Sequence, residues 1–339
     1  MADVVHNPAQ GAQRLPMAAL QKWEALGYGM FIHFGMSTYD GDEISEGDKP
    51  SSLYAPEKLD VEQWVSVARD AGMKYAVLTA KHVAGHCLWP SALTDYDVET
   101  SGNRTDVVGA FVNACEKRGL MAGLYYCSWD NHHRFGSVTP SHQRSINDSS
   151  TTQQYRDFQL AQIQELLQHY GPIGEVWIDI PFVLGSQGRE AQYRQIAALA
   201  PDAVIMMNQG FGDGSTIKYD YAWPTDLSAI ERWLPDSNRG YKSWHPIAHP
   251  PGAEPKDYYV PGEVCDPIGY EWFYVEEDKP RSDAELLGMR LICAARRVNL
   301  LLDVPPDKHG LITNRQIDAL ARLRKNVEQF GPVLPKQEG

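Results

Sequence analysis

Residues 171–181, GPIGEVWIDIP, bring an apolar, strand-like run to an end in Asp179, with a proline two positions on. A carboxylate left unpaired in a buried setting is costly, so such a residue is either satisfied by its neighbours or put to use. Other polar residues stand in the same situation: His33 after GMFI, Lys81 and His82 after VLTA, and Tyr126 and Ser128 around GLYYC. Asn208 and Gln209 follow VIMM, and Asp303 follows LLL. Taken singly, each has an ordinary reading. His33 is then a hydrogen-bonded structural histidine and Lys81 a lysine that runs its ammonium out to water. Asp303, ahead of Val-Pro-Pro-Asp, caps a turn and is assigned that structural role. Taken together, they are polar groups repeated at the ends of apolar runs, as one shared pocket requires.

Two kinds of chemistry suit such a set. A pair of carboxyl groups hydrolyses glycosides, one as nucleophile and the other as acid and base, about 5–5.5 Å apart where configuration is retained. With Asp179 as nucleophile, the candidates for the second group are Asp226 in YAWPTD, Glu231 in IERW and Glu263 in PGEVC. A metal-dependent hydrolase is the alternative. Against it, FIHFG carries one histidine rather than His-x-His, and KHVAGH sets His82 and His86 across a glycine in a strand-to-loop setting rather than on a helix. The expectation is chemistry with no metal and no cofactor.

The elements that would position these groups alternate along the chain. YGMFIHFG (28–35), KYAVLTA (74–80), LMAGLYYC (120–127), EVWIDIP (175–181), AVIMMNQG (203–210) and NLLLDVP (299–305) read as buried parallel strands. Amphipathic segments at 61–73, 106–119, 151–171 and 189–201 lie between them, several stopped by Gly or Pro. Alternation sustained over most of the chain predicts an α/β fold, a single-domain (β/α)8 TIM-like barrel whose pocket lies at the carboxyl ends of the strands. The GxGxxG and GxxxxGK[ST] fingerprints are absent, which argues against a doubly wound nucleotide-binding sheet. Residues 1–20 read as an N-terminal extension, 21–333 as the catalytic domain and 334–339 as a tail. The Trp-, Tyr-, Pro- and Gly-rich stretch 211–285 is expected to hold the sixth and seventh strands and long loops over the barrel mouth.

With 339 residues, 43% of them hydrophobic, the chain has material for a large core. Its formal net charge of −13 is broken by no basic cluster, which disfavours nucleic acid and acidic membranes as partners and suits a neutral or cationic substrate. Nine Trp and seventeen Tyr offer flat faces for sugars as well as core ballast. The five cysteines show no CxxC spacing, and Cys87, Cys127 and Cys293 read as reduced core residues. The opening residues lack the pattern of a secretory signal, so a soluble, cytoplasmic protein is expected.

YGMFIHFG, WVSVARDAGMKYAVLTAKH, LWPSALTDYDV, RTDVVGAFVNACEKRGLMAGLYYC, VWIDIP and NLLLDVPPDKHGLI, in that order, resemble the α-L-fucosidases of glycoside hydrolase family 29 over nearly the whole chain. The resemblance implies a retaining enzyme that removes terminal α-L-fucosyl residues from oligosaccharides or glycoconjugates, with Asp179 as nucleophile. It implies sugar-hydroxyl contacts from His33 and His82, and a pocket lined by Tyr126 and Trp177. Asp226 is preferred as acid/base, with Glu231 and Glu263 as alternatives. Asn208, Trp223, Glu263 and Trp272 complete the expected substrate contacts, Trp272 or Phe273 as a wall for the C6 methyl.

Three departures from the family pattern bear on these expectations. KHVAGH stands where the family has KHHDGF, so one contact is missing or rebuilt, with His86 the candidate to rebuild it. The arginine that often follows the strand-five asparagine is not evident in MNQGFGDG. The chain leaves no room after the barrel for the family's β-sandwich, so loops of 211–285 or a second subunit of a homo-oligomer would close the pocket. A catalytically silent barrel that binds fucosylated glycans is the rival reading.

Overall fold

The computed structural model describes residues 10–135, 150, 152–208, 222–235, 243–249 and 252–331. Gln209, the whole of 211–221 and the 334–339 tail lie outside them.

All six apolar runs form strands: β1 (Tyr28–Ile32), β2 (Tyr75–Lys81), β3 (Met121–Cys127), β4 (Glu175–Asp179), β5 (Val204–Met207) and, closing the series, β10 (Asn299–Asp303). The two strands expected within 211–285 are β6 (Ser228–Glu231) and β9 (Gly262–Pro267). Hydrogen bonding orders these eight as β5-β4-β3-β2-β1-β10-β9-β6, every pair parallel. Among the described residues no ladder joins the ends of this order, β5 and β6. There the seam is clasped through the segment ahead of β6: Asp226 N–H donates to the Ile205 carbonyl, Ile205 N–H to the Asp226 carboxylate and Met207 N–H to Thr225 Oγ1. The sheet is a nearly closed (β/α)8 barrel.

The strands read as continuous apolar runs because both faces are covered. One face fills the barrel with Phe31, Val77, Tyr125, Trp177, Met206 and Leu301; the other packs Ile32, Leu78, Leu124, Ile178 and Leu302 against the helices. Those helices begin where a side chain can take up a free N–H. Asp60 caps Val61–Asp70, Asp106 caps Val107–Arg118 and Thr152 caps Gln153–His169, while Ser282 and Thr313 open Asp283–Arg296 and Asn314–Phe330 with capping boxes. Val107–Arg118 ends on Gly119 at φ 70°, a left-handed cap that glycine adopts without a Cβ clash.

The amino end of the barrel is covered by residues 10–26. Helix Met17–Glu24 lays Trp23 across the opening, and Gln10 bridges to Asp257 of a hairpin formed by β7 (Trp244–Ile247) and β8 (Lys256–Tyr259). Gly29 lets Tyr75 pack here, since a Cβ at 29 would meet that ring at 2.5 Å. Cys87, Cys127 and Cys293 are buried free thiols, as are Cys115 and Cys265. Among the described residues no helix is long and apolar enough to cross a membrane.

Candidate active site

Side chains alternate along a strand, so the inward face of each barrel strand delivers one residue to the carboxyl mouth. Phe31 and His33, Trp177 and Asp179, and Ala229 and Glu231 are such pairs. They meet around a cavity whose walls include His33, Glu43, His82, Tyr125, Trp177, Asp179, Asn208, Glu231 and Trp272. On β2 the alternation is broken. The register against β3 shifts between Thr79 and Lys81, and the irregularity turns Lys81 outward over the Tyr126 ring, 4.4 Å from its centroid, leaving His82 to face the cavity.

Asp179 accepts hydrogen bonds from the Tyr125 hydroxyl at 2.7 Å, from Asn208 Nδ2 at 2.8 Å and from Ile180 N–H at 2.9 Å. The same Asn208 nitrogen donates to Glu231 Oε2 at 3.2 Å, so one amide ties the two carboxyl groups together. Both strands stop abruptly after their acid. Ile180 (φ 51°) and Arg232 (φ 55°) are in the left-handed region, a conformation that costs a β-branched isoleucine on the order of 1–3 kcal/mol. Just ahead of this turn the Ile180 N–H bonds the Asp179 side chain.

Burial pushes Asp179 above the ordinary carboxyl range, while its three donors and His33 pull it back. Glu231 goes further, up to about 7, through burial and the neighbouring charge of Asp179, with Asn208 and Arg232 opposing. Glu43, on the loop after helix Met36–Asp40, is also raised, first by burial. The mouth therefore sets an acid held by neutral donors beside a second carboxyl group whose titration is raised to about 7, poised to give or take a proton. His33 is lowered to about 3 and His82 well below its ordinary value, both by burial, so the two rings are neutral and offer hydrogen bonds rather than charge. Asp303 Oδ1 accepts the His33 N–H at 3.2 Å and lies 2.8 Å from its Nδ1, which orients the ring. Trp272 flanks His33 at 5.1 Å between centroids, and Phe273 flanks His82 at 4.9 Å.

Several sequence expectations need correction. Asp226, preferred as acid/base, lies at the opposite, amino end of β6, where its carboxylate is ion-paired with Arg14 and bonded by the Tyr193 hydroxyl and Ile205 N–H. Glu263 stands near the start of β9 and is buried beneath Trp177, outside the cavity wall. Tyr126 points away from the barrel interior, donating to Gln162 at 2.8 Å; its neighbour Tyr125 is the residue in the pocket. Trp223 packs on Tyr258 beside Ile247 and Val260 rather than on the cavity. His86 bonds Ser51 and packs on Tyr54 and Tyr96, so it does not rebuild the pocket contact left open by KHVAGH. Lys81 does not reach water: it is fully buried, 2.6 Å from Asp130, which His133 also contacts. Ser128 lies outside the cavity and donates its N–H to the Asp179 carbonyl. Asp303 keeps its structural role, but what it holds is His33.

Glu43 and Tyr125 are wall residues that sequence reasoning missed, as are the apolar Phe31 and Cys265. Tyr125 is recoverable from period two: it pairs in register with Trp177, two residues before Asp179 on the inward face of β4. Glu43 carries no such signal, being one of several acids in DGDEISEGD.

A sequence model of the family described as Alpha-L-fucosidase matches residues 43–332. The chain is similar to alpha-L-fucosidase 1 of Arabidopsis thaliana, 32% identical over 319 residues, with 90% of this chain and 59% of the plant protein covered. It thus spans about three-fifths of the length of that curated relative. Among solved structures it resembles a glycoside hydrolase 29 family member from an unknown rumen bacterium, at a TM-score of 0.73 and 25% identity, with 92% of this chain and 57% of that one covered. The unliganded alpha-L-fucosidase AlfC from Lactobacillus casei shares the fold at a TM-score of 0.69 and 21% identity, with 94% and 99% covered. With the family model spanning most of its length, the chain belongs to the α-L-fucosidase family.

Proposed function

We propose that the chain is a retaining α-L-fucosidase acting on terminal α-L-fucosyl residues of oligosaccharides or glycoconjugates, with Asp179 as nucleophile and Glu231 as acid/base. The observation that carries this reading is the single amide of Asn208 donating to both carboxyl groups. Two bonds from one nitrogen keep the bonded oxygens within the sum of their lengths. That suits the about 5–5.5 Å of a retaining pair better than the about 6.5–9.5 Å of an inverting one.

Ionised Asp179 attacks the anomeric carbon as the bond to the departing oxygen breaks, and Glu231 delivers its proton to that oxygen. The glycosyl group is then an ester of Asp179. Glu231, now a carboxylate, takes a proton from water, whose oxygen attacks the same carbon, frees Asp179 and releases fucose with its original configuration. Neutral His33 and His82 bond ring hydroxyls, while Trp177 and Trp272 supply apolar faces to the sugar.

The test is release of 4-nitrophenol from 4-nitrophenyl α-L-fucoside by the parent, Asp179→Ala and Glu231→Ala, each with and without azide. Asp179→Ala is expected to lose activity by at least about a thousandfold and to recover it with azide as a fucosyl azide of inverted configuration. Glu231→Ala is expected to give the azide product of retained configuration. A folded parent that releases no 4-nitrophenol would sink the reading in favour of a silent glycan-binding barrel.

A further inference from the structure

Beneath the pocket the barrel holds a second pair of carboxyl groups that the proposed hydrolysis does not use. Glu175 opens β4 and Glu263 stands near the start of β9, both fully buried. Glu263 Oε1 accepts from the Tyr75 hydroxyl at 2.5 Å and Oε2 from the Trp177 indole at 3.0 Å. Glu175 Oε2 accepts from the Trp23 indole at 2.9 Å, and its Oε1 is buried without a donor among the described residues. The two side chains are hydrogen-bonding neighbours, and among the described residues no cation is named among the charges acting on either.

Two carboxylates placed together in a dry interior cannot both ionise. Burial and mutual repulsion push Glu175 well above its ordinary value, and burial raises Glu263 as well. A single proton on Glu175 resolves the clash, because a protonated carboxyl group can donate to its neighbour Glu263. Glu263 keeps the one negative charge, against which Tyr75 and Trp177 direct their hydrogens.

The Trp177 indole lines the cavity and stacks on Tyr125, 5.5 Å between centroids at 21°, and Tyr125 in turn holds Asp179. We propose that ionised Glu263, backed by protonated Glu175, is a positioning residue: it fixes the Trp177 indole and, through the Trp177–Tyr125 stack, the hydroxyl that orients Asp179. The kinetic part of this inference rests on the hydrolytic reading given above.

The first measurement is an infrared difference spectrum, parent minus Glu175→Gln, at mildly alkaline pH where Glu231 has ionised. A protonated-carboxyl stretch present in the parent and lost in the variant is expected. Its absence from the parent overturns the proposal whether or not the protein cleaves fucosides. The second is kcat/KM with 4-nitrophenyl α-L-fucoside. The amide of Glu175→Gln still donates toward Glu263, whereas Glu263→Gln moves the charge to residue 175 and weakens the acceptor for Trp177. Glu263→Gln is expected to lose about tenfold more than Glu175→Gln and to alter the near-ultraviolet circular dichroism of the Trp177–Tyr125 stack. Equal losses, or an unaltered aromatic spectrum in Glu263→Gln, overturn it. Should Glu263→Gln fail to fold, Tyr75→Phe removes one of the two donors to Glu263 and is expected to shift the carboxyl band; an unshifted band counts against the pair. A parent with the infrared and aromatic signatures but no hydrolysis would fail the functional reading alone.

Discussion

Asp226 and Glu231 flank the same short strand, and the barrel treats them in opposite ways. At the amino end, Asp226 has a guanidinium, a phenol and a backbone N–H on its two oxygens. At the carboxyl end, Glu231 shares one amide with a like-charged neighbour and borders a cavity. A carboxylate matched by a cation and donors is a clasp. One pressed by burial and by another carboxylate, with a single donor, becomes a proton reservoir near neutrality. The difference between the ion-paired acid and the one whose proton affinity is raised lies in which end of the strand each occupies, not in sequence neighbourhood.

The sharpest way to break this contrast is Glu231→Gln. With a glycoside that has a poor leaving group, kcat is expected to fall roughly 10²–10⁴-fold. The proposed mechanism requires a protonated Glu231 as well as an ionised Asp179, so activity in the parent is expected to decline as pH rises through about 7, above an acid limb set by Asp179. That alkaline limb should vanish in the variant, and its survival in a pH–rate profile would mean that another group supplies the proton. Next in size is Tyr125→Phe, which strips one donor from the Asp179 carboxylate, a contact of about 1.5–3 kcal/mol. A loss of roughly ten- to a hundredfold in kcat is expected. The acid limb should also move to higher pH, because the ionised form of Asp179 has lost support. The smallest effect on activity belongs to Asp226→Asn. Breaking its ion pair with Arg14 is expected to lower unfolding stability by about 3 kcal/mol in denaturant titration, while the loss in kcat/KM stays at least about tenfold below that of Glu231→Gln. A folded Asp226→Asn as inactive as Glu231→Gln would exchange the roles of the two acids.

Much of the barrel was legible because strands covered on both faces cannot hide: six apolar runs became β1 to β5 and β10. β6, only four residues long within a loop-rich region, gave no comparable signal, and without its position the ends of YAWPTDLSAIER could not be told apart. Glu263 misled for the same reason. It begins a strand rather than ending one, so its side chain enters the barrel floor instead of the mouth. Asp179 and His33 were readable because each directly ends or follows a recognisable strand. In the pair Tyr125–Tyr126, one phase of the alternation decides which ring lines the cavity and which meets a helix. On β2 the shift between Thr79 and Lys81 resets that phase, so no period-two count from Tyr75 would have turned His82 inward. Asp303 shows the converse, a turn residue by sequence whose carboxylate aligns a pocket histidine.

The seam between β5 and β6 gives the pocket a mechanical character. Asn208 follows one of its strands and Glu231 ends the other, while Asp179 sits one strand further in. The gap between the two mouth carboxyls is thus spanned where the described residues show a buckle of Asp226 and Thr225 side chains instead of a rung-by-rung ladder. The Asn208 amide therefore doubles as a fastener of the barrel wall, tying the strand that carries Asp179 to the strand that carries Glu231 across the one junction where the described residues form no ladder.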